Sequence, residues 1–377
     1  MFIKEIFKYS FGILIISIFV RIALINKKNY NDEDHKEFKL QEEKFSKNVK
    51  NWLNKGNFHL YKNKHKIFYI LSKIQNEKND NIEEIKLNSP LKIDASTTVN
   101  VFLHGFPTSS YDYSKIWGHF SVSNQHLASQ SRLKPIYLFT FDYLGYGFSD
   151  KPFNYTYSLF DNADLLDNLL LNLNVLNINL IAHDIGDSVA QEILRRYNLK
   201  QLNFKINNLI LTNGGIFYDI YQPVLSQTIL RTEIVNNIFS KYLFNQHLFS
   251  LTFKNVFGRL YRSTSEVNED MIDFFSIISY KHGHLSLPLT IKYLDEREQY
   301  NEVWLNALNE TVVRTSLIYG PDDPINPDKE YSHKMVNDLP NIKFIKLADV
   351  IGHYPQWEDP FTVFDLIYNI LYKKSSL

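Results

Sequence analysis

The sequence predicts an α/β fold in which a mostly parallel sheet is flanked by helices and a helical segment is inserted. Two observations predict it. From about residue 56 onward, short β-branched runs alternate with segments of helical periodicity, which is typical of parallel strands joined by helical crossovers. Between about residues 216 and 307 the alternation stops, and helical, aromatic-rich sequence takes its place before it resumes. We therefore expect one α/β domain with a helical lid at about 216–307, not two independent domains.

Residues 1–28 predict an N-terminal membrane-anchor helix. Their apolar run extends to Ile25, is interrupted by Arg21 and is flanked by lysines, and no small-x-small cleavage site follows it. The run from Phe11 is shorter than the ~20 residues that span a bilayer, but it is long enough when it is counted from Phe2 to Ile25 with Arg21 snorkelling. We expect a single-pass signal anchor, with an interfacial amphipathic helix as the alternative. Residues 29–55 are charged and predict a polar helical spacer, so that the α/β domain covers residues 56–377.

The elements of the α/β domain follow in chain order. Strand-like runs predict a hairpin over 57–71 and strands at 98–103, 135–141, 178–182, 206–212, 314–319 and 342–347. Helical segments are predicted at 165–173, 188–197, 328–337 and 359–372. Ligands bind at the carboxyl ends of parallel strands, so polar residues directly after these strands are the candidates for a functional site.

The composition excludes several kinds of function. The 377 residues contain no cysteine, which excludes thiolate nucleophiles, disulfides and cysteine-ligated metal sites. Lys plus Arg and Asp plus Glu each total 41, so the formal net charge is zero and a general nucleic-acid binder is not expected. The sequence has neither an HExxH motif nor a dinucleotide-binding fingerprint, so we expect no metal and no organic cofactor.

The segment AHDIG, centred on Asp184, joins the strand at 178–182 to the next helix. It has the small-x-nucleophile-x-small pattern of a nucleophile elbow, with aspartate at the apex. A carboxylate there attacks an sp3 carbon and forms an ester that water must hydrolyse, whereas attack on an ordinary ester would give a labile anhydride. The alternative is that Asp184 only caps the following helix.

Two later strand ends supply partners in the chain order nucleophile, acid, histidine. Asp323 follows the strand at 314–319, and His353 follows the strand at 342–347. A histidine in this position serves as a general base for the hydrolytic water, and a carboxylate fixes its tautomer. We favour Asp323 over Asp322 as that carboxylate.

The turn HGFP, which contains Phe106, follows the strand at 98–103. The backbone N–H groups of Phe106 and Ile185 are the expected donors of an oxyanion hole, and a plain turn is the alternative. The glycine-rich turn at 142–150 is not a phosphate loop, because it lacks the GK[ST] sequence.

Together these motifs resemble those of α/β-hydrolases of the epoxide hydrolase and haloalkane dehalogenase branch. The matching pieces are His104-Gly-Phe-Pro, Asp142-x-x-Gly-x-Gly-x-Ser, His183-Asp184-x-Gly, Gly320-x-x-Asp323 and Gly352-His353. The resemblance covers about residues 50–375 and implies the α/β-hydrolase fold. It also implies that Asp184 is the nucleophile, His353 the base and Asp323 its orienting acid.

The resemblance has further implications for the lid and for the leaving group. Epoxide hydrolases use lid tyrosines to protonate the epoxide oxygen, and the segment 288–298 resembles the one that carries such a tyrosine. Tyr293 is therefore the candidate proton donor, with simple packing as the alternative. The resemblance does not assign a second lid tyrosine, for which Tyr261 is one option. The branch usually has Trp after the nucleophile, whereas this chain has Ile185, which offers no side-chain donor, so halide chemistry is not expected.

The leading functional hypothesis is a membrane-anchored, epoxide-hydrolase-like enzyme that acts on a small apolar or lipid-like substrate. The alternatives are a lipid acyl hydrolase or acyltransferase using the same site, and a non-catalytic scaffold that keeps the fold for binding. The expected partners are the lipophilic substrate and the membrane, without nucleic acid, and we expect a monomer. Within the branch, the chain resembles a member anchored in the endoplasmic reticulum membrane, which implies the same location here.

Overall fold

The computed structural model describes residues 32–74, 82–84, 93–127, 135–232, 240 and 244–373. The chain divides into two compact units, residues 1–44 and 45–377. The membrane anchor expected over residues 1–28 lies outside the described ranges. Within those ranges, no helix combines the length and the apolar character needed to cross a membrane.

The helices and strands are numbered here in chain order. The strands are β1 (Asn57–Tyr61), β2 (His65–Ile74), β3 (Ile82–Glu84), β4 (Thr98–Leu103), β5 (Ile136–Phe141), β6 (Asn177–Ala182), β7 (Lys205–Leu211), β8 (Arg314–Tyr319) and β9 (Lys343–Lys346). The helices are α1 (Asp32–Glu43), α2 (Lys47–Lys55), α3 (Ser114–Leu127), α4 (Leu159–Asn172), α5 (Ile185–Asn198), α6 (Leu225–Arg231), α7 (Gln246–Phe253), α8 (Arg259–Arg262), α9 (Glu266–Ser279), α10 (Leu287–Thr290), α11 (Tyr293–Glu310), α12 (Asp328–Asp338), α13 (Pro355–Glu358) and α14 (Pro360–Tyr372).

The described strands form one sheet in the order β1-β2-β5-β4-β6-β7-β8-β9, with β3 paired to β2. Strand β2 pairs antiparallel with each of its neighbours, β1, β3 and β5. From β5 to β9 in this order, neighbouring strands are parallel. The mostly parallel sheet with flanking helices is thus confirmed. In the β4–β6 register Leu103 lies opposite Ala182, so the turns that follow these two strands emerge side by side at one edge of the sheet.

The central strands are almost continuously apolar because helices cover both of their faces. In β6, the side chains from Ile178 to Ala182 are buried. The polar exceptions form a ladder of amides across the sheet: Asn208 donates to Asn179 and Asn179 donates to Asn100, each at 2.8 Å. Asn100 in turn donates to the Tyr372 hydroxyl at the end of α14, at 2.7 Å. Each buried amide is therefore hydrogen-bonded, as burial requires.

Helix α2 belongs to the α/β unit, although the sequence analysis assigned residues 29–55 to a polar spacer. The compact unit begins at Phe45, and Phe45, Val49 and Trp52 are buried. Trp52 Nε1 donates to Ser110 Oγ at 3.2 Å, and its ring packs edge-on against Trp117. The spacing of these three residues is an apolar helical stripe, which the charged and amide residues between them obscure in the sequence.

Between β7 and β8 the described residues form helices α6 to α11, and we call this segment the helical insert. It lies where the sequence predicts that the alternation of strands and helices stops. Its last helix, α11, packs on α5, where Trp304 Nε1 donates to the buried Glu192 at 3.0 Å. Nearer the glycine-rich turn, Ser286 Oγ donates to the Gly145 carbonyl at 2.8 Å. The insert is thereby attached to the sheet domain at two places.

Candidate active site

Asp184 lies at the tight turn between β6 and α5. Its φ of +50° and ψ of −109° are sparsely populated by residues other than glycine, so the turn is strained. A Cβ on Gly186 would lie 2.5 Å from the Leu103 carbonyl oxygen, so the turn requires glycine there. The Asp184 side chain is 3% exposed and makes no capping bond to α5. The alternative role of Asp184 as a side-chain helix cap is therefore wrong.

The two oxygens of the Asp184 carboxylate have different partners. The Phe106 backbone N–H donates to Oδ2 at 2.8 Å. Oδ1 lies 3.6 Å from Arg297 Nη2. The structure thus brings the expected donor Phe106 to this carboxylate, whereas the amide of Ile185, the other expected donor, makes no hydrogen bond to it within the described structure. The buried negative charge is compensated by a backbone dipole and a guanidinium.

His353 and Asp323 meet at the same edge of the sheet. His353 Nδ1 lies 2.8 Å from Asp323 Oδ2, and both side chains are buried. Asp323 also accepts hydrogen bonds from the side chains of Asn213 and Asn326, each at 3.0 Å, and from the Ile325 N–H at 2.8 Å. Burial alone would raise the pKa of Asp323, but His353 and these donors hold the pKa below its ordinary value.

The neighbouring acid, Asp322, is engaged elsewhere. It accepts hydrogen bonds from the backbone and the guanidinium of Arg259 near the surface. Asp323, and not Asp322, is therefore the carboxylate in contact with His353.

The imidazole of His353 is arranged as a base. Burial alone would lower its pKa, but the Asp323 carboxylate outweighs burial and holds the pKa above its ordinary value. When Nδ1–H donates to Asp323, Nε2 carries the lone pair, and Nε2 has no hydrogen-bond partner in the described part of the protein. The backbone is fixed as well, since His183 Nε2 lies 2.8 Å from the His353 carbonyl oxygen and donates to it. A buried imidazole with a free lone pair is able to activate a water molecule.

The glycine-rich turn after β5 holds the segment that carries Phe106. Asp142 accepts from the Ser110 N–H at 2.8 Å and from the Phe148 N–H at 2.6 Å. Gly147 has a φ of +49°, and a Cβ on it would lie 2.1 Å from Asp142 Oδ2. Burial raises the pKa of Asp142. This turn therefore has a structural role: it ties the segments after β4 and β5 together beside Asp184.

Of the two tyrosines suggested by the sequence, only Tyr293 lies near Asp184. Tyr293 begins α11, is 2% exposed, and its hydroxyl has no hydrogen-bond partner among the described residues. Burial first, and the charge of Asp184 second, raise the pKa of Tyr293 well above its ordinary value. Tyr261 instead contacts Asp270 and accepts from Trp357 Nε1, so it is not the second tyrosine of this site.

Tyr221, for which the sequence predicts no role, also lies beside the site. Its ring centroid is 5.8 Å from the Arg297 guanidinium, and the charge of Asp184 contributes to raising its pKa. The sequence offers no motif that distinguishes this tyrosine from the other 23.

Arg297, which was not predicted from the sequence to belong to the site, lies beside Asp184. It lies one helical turn after Tyr293 on α11 and is fully buried. Nε donates to Ser188 Oγ at 3.0 Å, Nη2 donates to the Asp184 carbonyl at 3.3 Å, and Nη1 has no hydrogen-bond partner among the described residues. A Cβ on Gly215 would lie 2.1 Å from Nη1, so the glycine makes room for the guanidinium. The signal in the sequence was the i, i+4 spacing of Tyr293 and Arg297, which puts both on one helical face.

A second carboxyl group, Asp187, lies on the first turn of α5. It is fully buried, and neither of its oxygens has a hydrogen-bond partner among the described residues. Burial, followed by the negative charge of Asp184, raises its pKa well above the ordinary value, although Arg297 opposes this. The burial of Asp187 therefore favours its protonated form. A Cβ on Gly214 would lie 2.1 Å from Asp187 Oδ2, so this glycine allows the close packing.

An apolar cavity leads to this site from the helical insert. It encloses roughly 590 Å³ of empty space, counting the open solvent at its mouth. Phe106 and His353 lie at one side, and insert residues such as Leu230, Phe249 and Phe253 line the other. In the described part of the chain, no cluster of three or more His, Asp or Glu side chains has the arrangement of a metal site. The cavity suits an uncharged, apolar molecule.

Comparisons with known proteins agree with this geometry. A family model described as the alpha/beta hydrolase fold matches residues 101–360. The mesoderm-specific transcript protein of Mus musculus is 37% identical over 268 residues, which cover 70% of this chain and 76% of that protein. The putative hydrolase LipZ of Mycobacterium tuberculosis is 27% identical over 268 residues, 70% of this chain and 85% of that protein.

Solved structures share the fold at lower identity. The haloalkane dehalogenase DbeA from Bradyrhizobium elkani matches with a TM-score of 0.61 and 18% identity, covering 84% of this chain and 96% of that one. A putative aryl esterase from Burkholderia cenocepacia matches with a TM-score of 0.55 and 16% identity, over 84% and 97% of the two chains. The chain therefore belongs to the α/β-hydrolase fold family, and it is similar to the mesoderm-specific transcript proteins.

Proposed function

We propose that the protein is an epoxide-hydrolase-like enzyme in which Asp184 forms a covalent alkyl ester with an apolar substrate. One observation carries the proposal: the Phe106 N–H donates to the carboxylate of Asp184 itself, beside the His353–Asp323 pair. In this arrangement one carboxylate oxygen is held by the expected oxyanion donor, and the other is left for attack. The carbonyl oxygen of the resulting ester is then already in place for the hydrolytic step.

The first step opens the epoxide. Asp184 Oδ1 attacks an epoxide carbon, an O–C bond forms, and the ring C–O bond breaks. The ring oxygen keeps the electron pair and takes the hydroxyl proton of Tyr293, which has no hydrogen-bond partner among the described residues. The products are a hydroxyalkyl ester on Asp184 and a Tyr293 phenolate.

The second step hydrolyses the ester. His353 Nε2 removes a proton from water, and the hydroxide attacks the Cγ atom of Asp184, whose carbonyl oxygen faces the Phe106 N–H. The ester C–O bond breaks and the diol leaves. One of the two water protons stays with the diol, the other returns to Tyr293, and Asp184 is again a carboxylate. Asp323 keeps the imidazole oriented and stabilises it while it is protonated.

Acyl transfer is less well supported by the same geometry. A lipid acyl hydrolase must offer its oxyanion donors to the carbonyl oxygen of the substrate. Here the Phe106 N–H is occupied by Asp184, and attack by a carboxylate on an ester would give an anhydride. A non-catalytic scaffold, the remaining alternative, has no need of the buried charges of Asp184, Asp323 and Arg297, which are expensive to bury.

The apolar cavity supports a lipophilic substrate, and we propose that the helical insert acts as the lid over the strand ends. Residues 1–28 are proposed to anchor the enzyme in the endoplasmic reticulum membrane by a single span. Two exposed sequons, at Asn154 and Asn309, report the orientation: a glycosidase-sensitive mass shift indicates a lumenal domain. Extraction of membranes at high pH tests the anchor. The wild-type protein should stay with the membrane, and a variant that lacks residues 1–28 should be released.

Trapping the ester tests the proposed reaction. The variant His353→Gln is incubated with a long-chain 1,2-epoxyalkane, and its intact mass is measured. We expect a gain equal to the mass of one epoxide, located by peptide mapping to the segment that contains Asp184. The same incubation with Asp184→Ala in the His353→Gln background is the control and should give no gain. An unchanged mass of His353→Gln across epoxides that the wild type turns over would rule the ester out.

A further inference from the structure

Three side chains with ionisable or charged groups meet inside the protein around Arg297. Nη2 lies 3.6 Å from Asp184 Oδ1, and the guanidinium lies 5.0 Å from the centroid of the Tyr293 ring. The third group is the carboxyl of Asp187, whose pKa is raised well above its ordinary value by burial. Arg297 itself is fully buried.

Among the described residues, the carboxylate of Asp184 forms an ion pair with the guanidinium, at 3.6 Å. A buried ion pair is tolerated because each charge compensates the other, and removal of one partner leaves an expensive isolated charge. Arginine cannot relieve this by losing its proton. The charge of Arg297 is therefore fixed, and any reaction that neutralises Asp184 must provide another anion nearby.

The proposed reaction neutralises Asp184 when the ester forms. The negative charge moves to the substrate oxygen and, after proton transfer, to the phenolate of Tyr293. Tyr293 lies one turn from Arg297 on the same helix, and its hydroxyl has no hydrogen-bond partner among the described residues. Formation of the ester also removes the negative charge of Asp184, which disfavours ionisation of Tyr293 in the resting state. The guanidinium then pairs with the phenolate in place of the carboxylate.

We propose that Arg297 is the permanent counter-ion of the active site, paired with the Asp184 carboxylate before ester formation and with the Tyr293 phenolate after it. The inference rests on the proposed function, since it describes the charges of that same reaction. During this exchange of partners the number of buried charges stays constant: one carboxylate is consumed, one phenolate is formed, and the guanidinium remains. Hydrolysis of the ester reverses the exchange, because the proton from water returns to the phenolate.

The ionisation of tyrosine is a direct readout that a merely structural role of Arg297 would not produce. With excess epoxide, the His353→Gln variant should develop the ultraviolet difference band of one ionised tyrosine at the rate at which the ester mass accumulates. The band should vanish in the Tyr293→Phe/His353→Gln variant and persist in Tyr300→Phe/His353→Gln. Tyr300 lies on the same helix but packs against Phe160 and Trp304, away from Asp184, which makes it a matched control.

The counter-ion itself is tested in the same background. Arg297→Met should slow ester formation by about 10²–10³-fold, the cost typical of losing one electrostatic contact to a developing charge, and should abolish the tyrosine band. Arg297→Lys keeps the charge and should restore part of the rate and the band. Arg231→Met is the control, because Arg231 pairs with Asp295 on the exposed side of the same helix.

The outcomes separate the inference from the proposed function. If His353→Gln gains no epoxide mass, the proposed reaction fails. If it gains the mass without a tyrosine band, or if Arg297→Met forms the ester at the rate of its parent, the reaction stands and the counter-ion role is overturned. A missing band in the variant that retains Arg297 overturns the counter-ion role even if Arg297→Met does not fold.

Discussion

His353 Nδ1 and Asp323 Oδ2 lie 2.8 Å apart at the ends of the two last strands of the sheet. The contact raises the pKa of His353 against the effect of burial, and it aims the free lone pair of Nε2 away from Asp323. The pair therefore controls both the amount of base that is present at a given pH and its orientation.

Asp323→Asn should lower the rate of ester hydrolysis and move its pH dependence. The wild-type kcat should rise with pH through an apparent pKa above the ordinary 6.5, because His353 must lose its proton to act as a base. Without the carboxylate, burial lowers the pKa of His353, so the acid limb moves to lower pH while kcat falls by about 10³–10⁴-fold.

A kcat–pH profile of both forms measures this effect. Asp322→Asn is the control and should leave the profile unchanged, since Asp322 pairs with Arg259 instead. An acid limb that stays in place in Asp323→Asn would contradict the assignment.

Asp187→Asn should stabilise the protein at neutral pH. The folded pKa of Asp187 is raised, so the folded state keeps a proton that the unfolded state releases above its pKa of about 3.8. Stability is therefore lost as the pH rises from that value toward the folded pKa, by about 1.4 kcal/mol per pH unit. The asparagine variant mimics the protonated form and lacks this loss.

Urea unfolding of the wild type and of Asp187→Asn tests this prediction. The free energy of unfolding is measured between about pH 4 and 8, the range in which most proteins are stable. The difference in the free energy of unfolding should be small at the acid end and grow with pH. A difference that is constant with pH, or a variant that is less stable throughout, would show that Asp187 is ionised in the folded state.

Gly214→Ala should destabilise the protein and reduce activity. The added Cβ would lie 2.1 Å from Asp187 Oδ2, so the side chain or the backbone must shift next to Arg297. Overpacking of this kind costs about 1–3 kcal/mol. Gly118→Ala in α3 is the matched control, because a Cβ there meets nothing within 4 Å and should stabilise the helix by about 0.5–1 kcal/mol. Thermal unfolding of the two variants should therefore shift in opposite directions, and equal shifts would count against the packing argument.

Removal of α2 should weaken the α/β unit. A chain that begins at residue 45 keeps the buried side chains of Val49 and Trp52, whereas a chain that begins at residue 56 loses them. Loss of a buried tryptophan alone costs about 3–5 kcal/mol. The shorter chain should have a clearly lower Tm than the longer one. Equal Tm values would place residues 45–55 outside the folded unit.

The residues at strand ends could be predicted from the sequence because parallel strands deliver their following turns to one edge. Asp184, Asp323 and His353 each follow a recognisable strand, and the elbow pattern marks the first of them. The mostly parallel sheet was predictable for the same reason, since alternation of strands and helices leaves few topologies.

The contributions of the helical insert could not be predicted in the same way. Arg297 reaches Asp184 only because α11 packs on α5, and no local pattern encodes that contact. The second lid tyrosine could not be assigned for a related reason: the contacts of Tyr261 with Asp270 and Trp357, which keep it out of this site, depend on tertiary packing. Helical structure was predicted for the segment that contains α2, but its burial was not, because only Phe45, Val49 and Trp52 form the apolar stripe.

The central claim, that Asp184 is the nucleophile, is tested most directly by following oxygen through a single turnover. Enzyme in excess over an apolar epoxide is allowed to react in water labelled with heavy oxygen, and the product and the peptide that contains Asp184 are analysed by mass spectrometry. If Asp184 attacks the epoxide, the diol from this first turnover is unlabelled and the label enters the Asp184 carboxylate. If water attacks the epoxide directly, the label appears in the diol and Asp184 remains unlabelled, which would contradict the account.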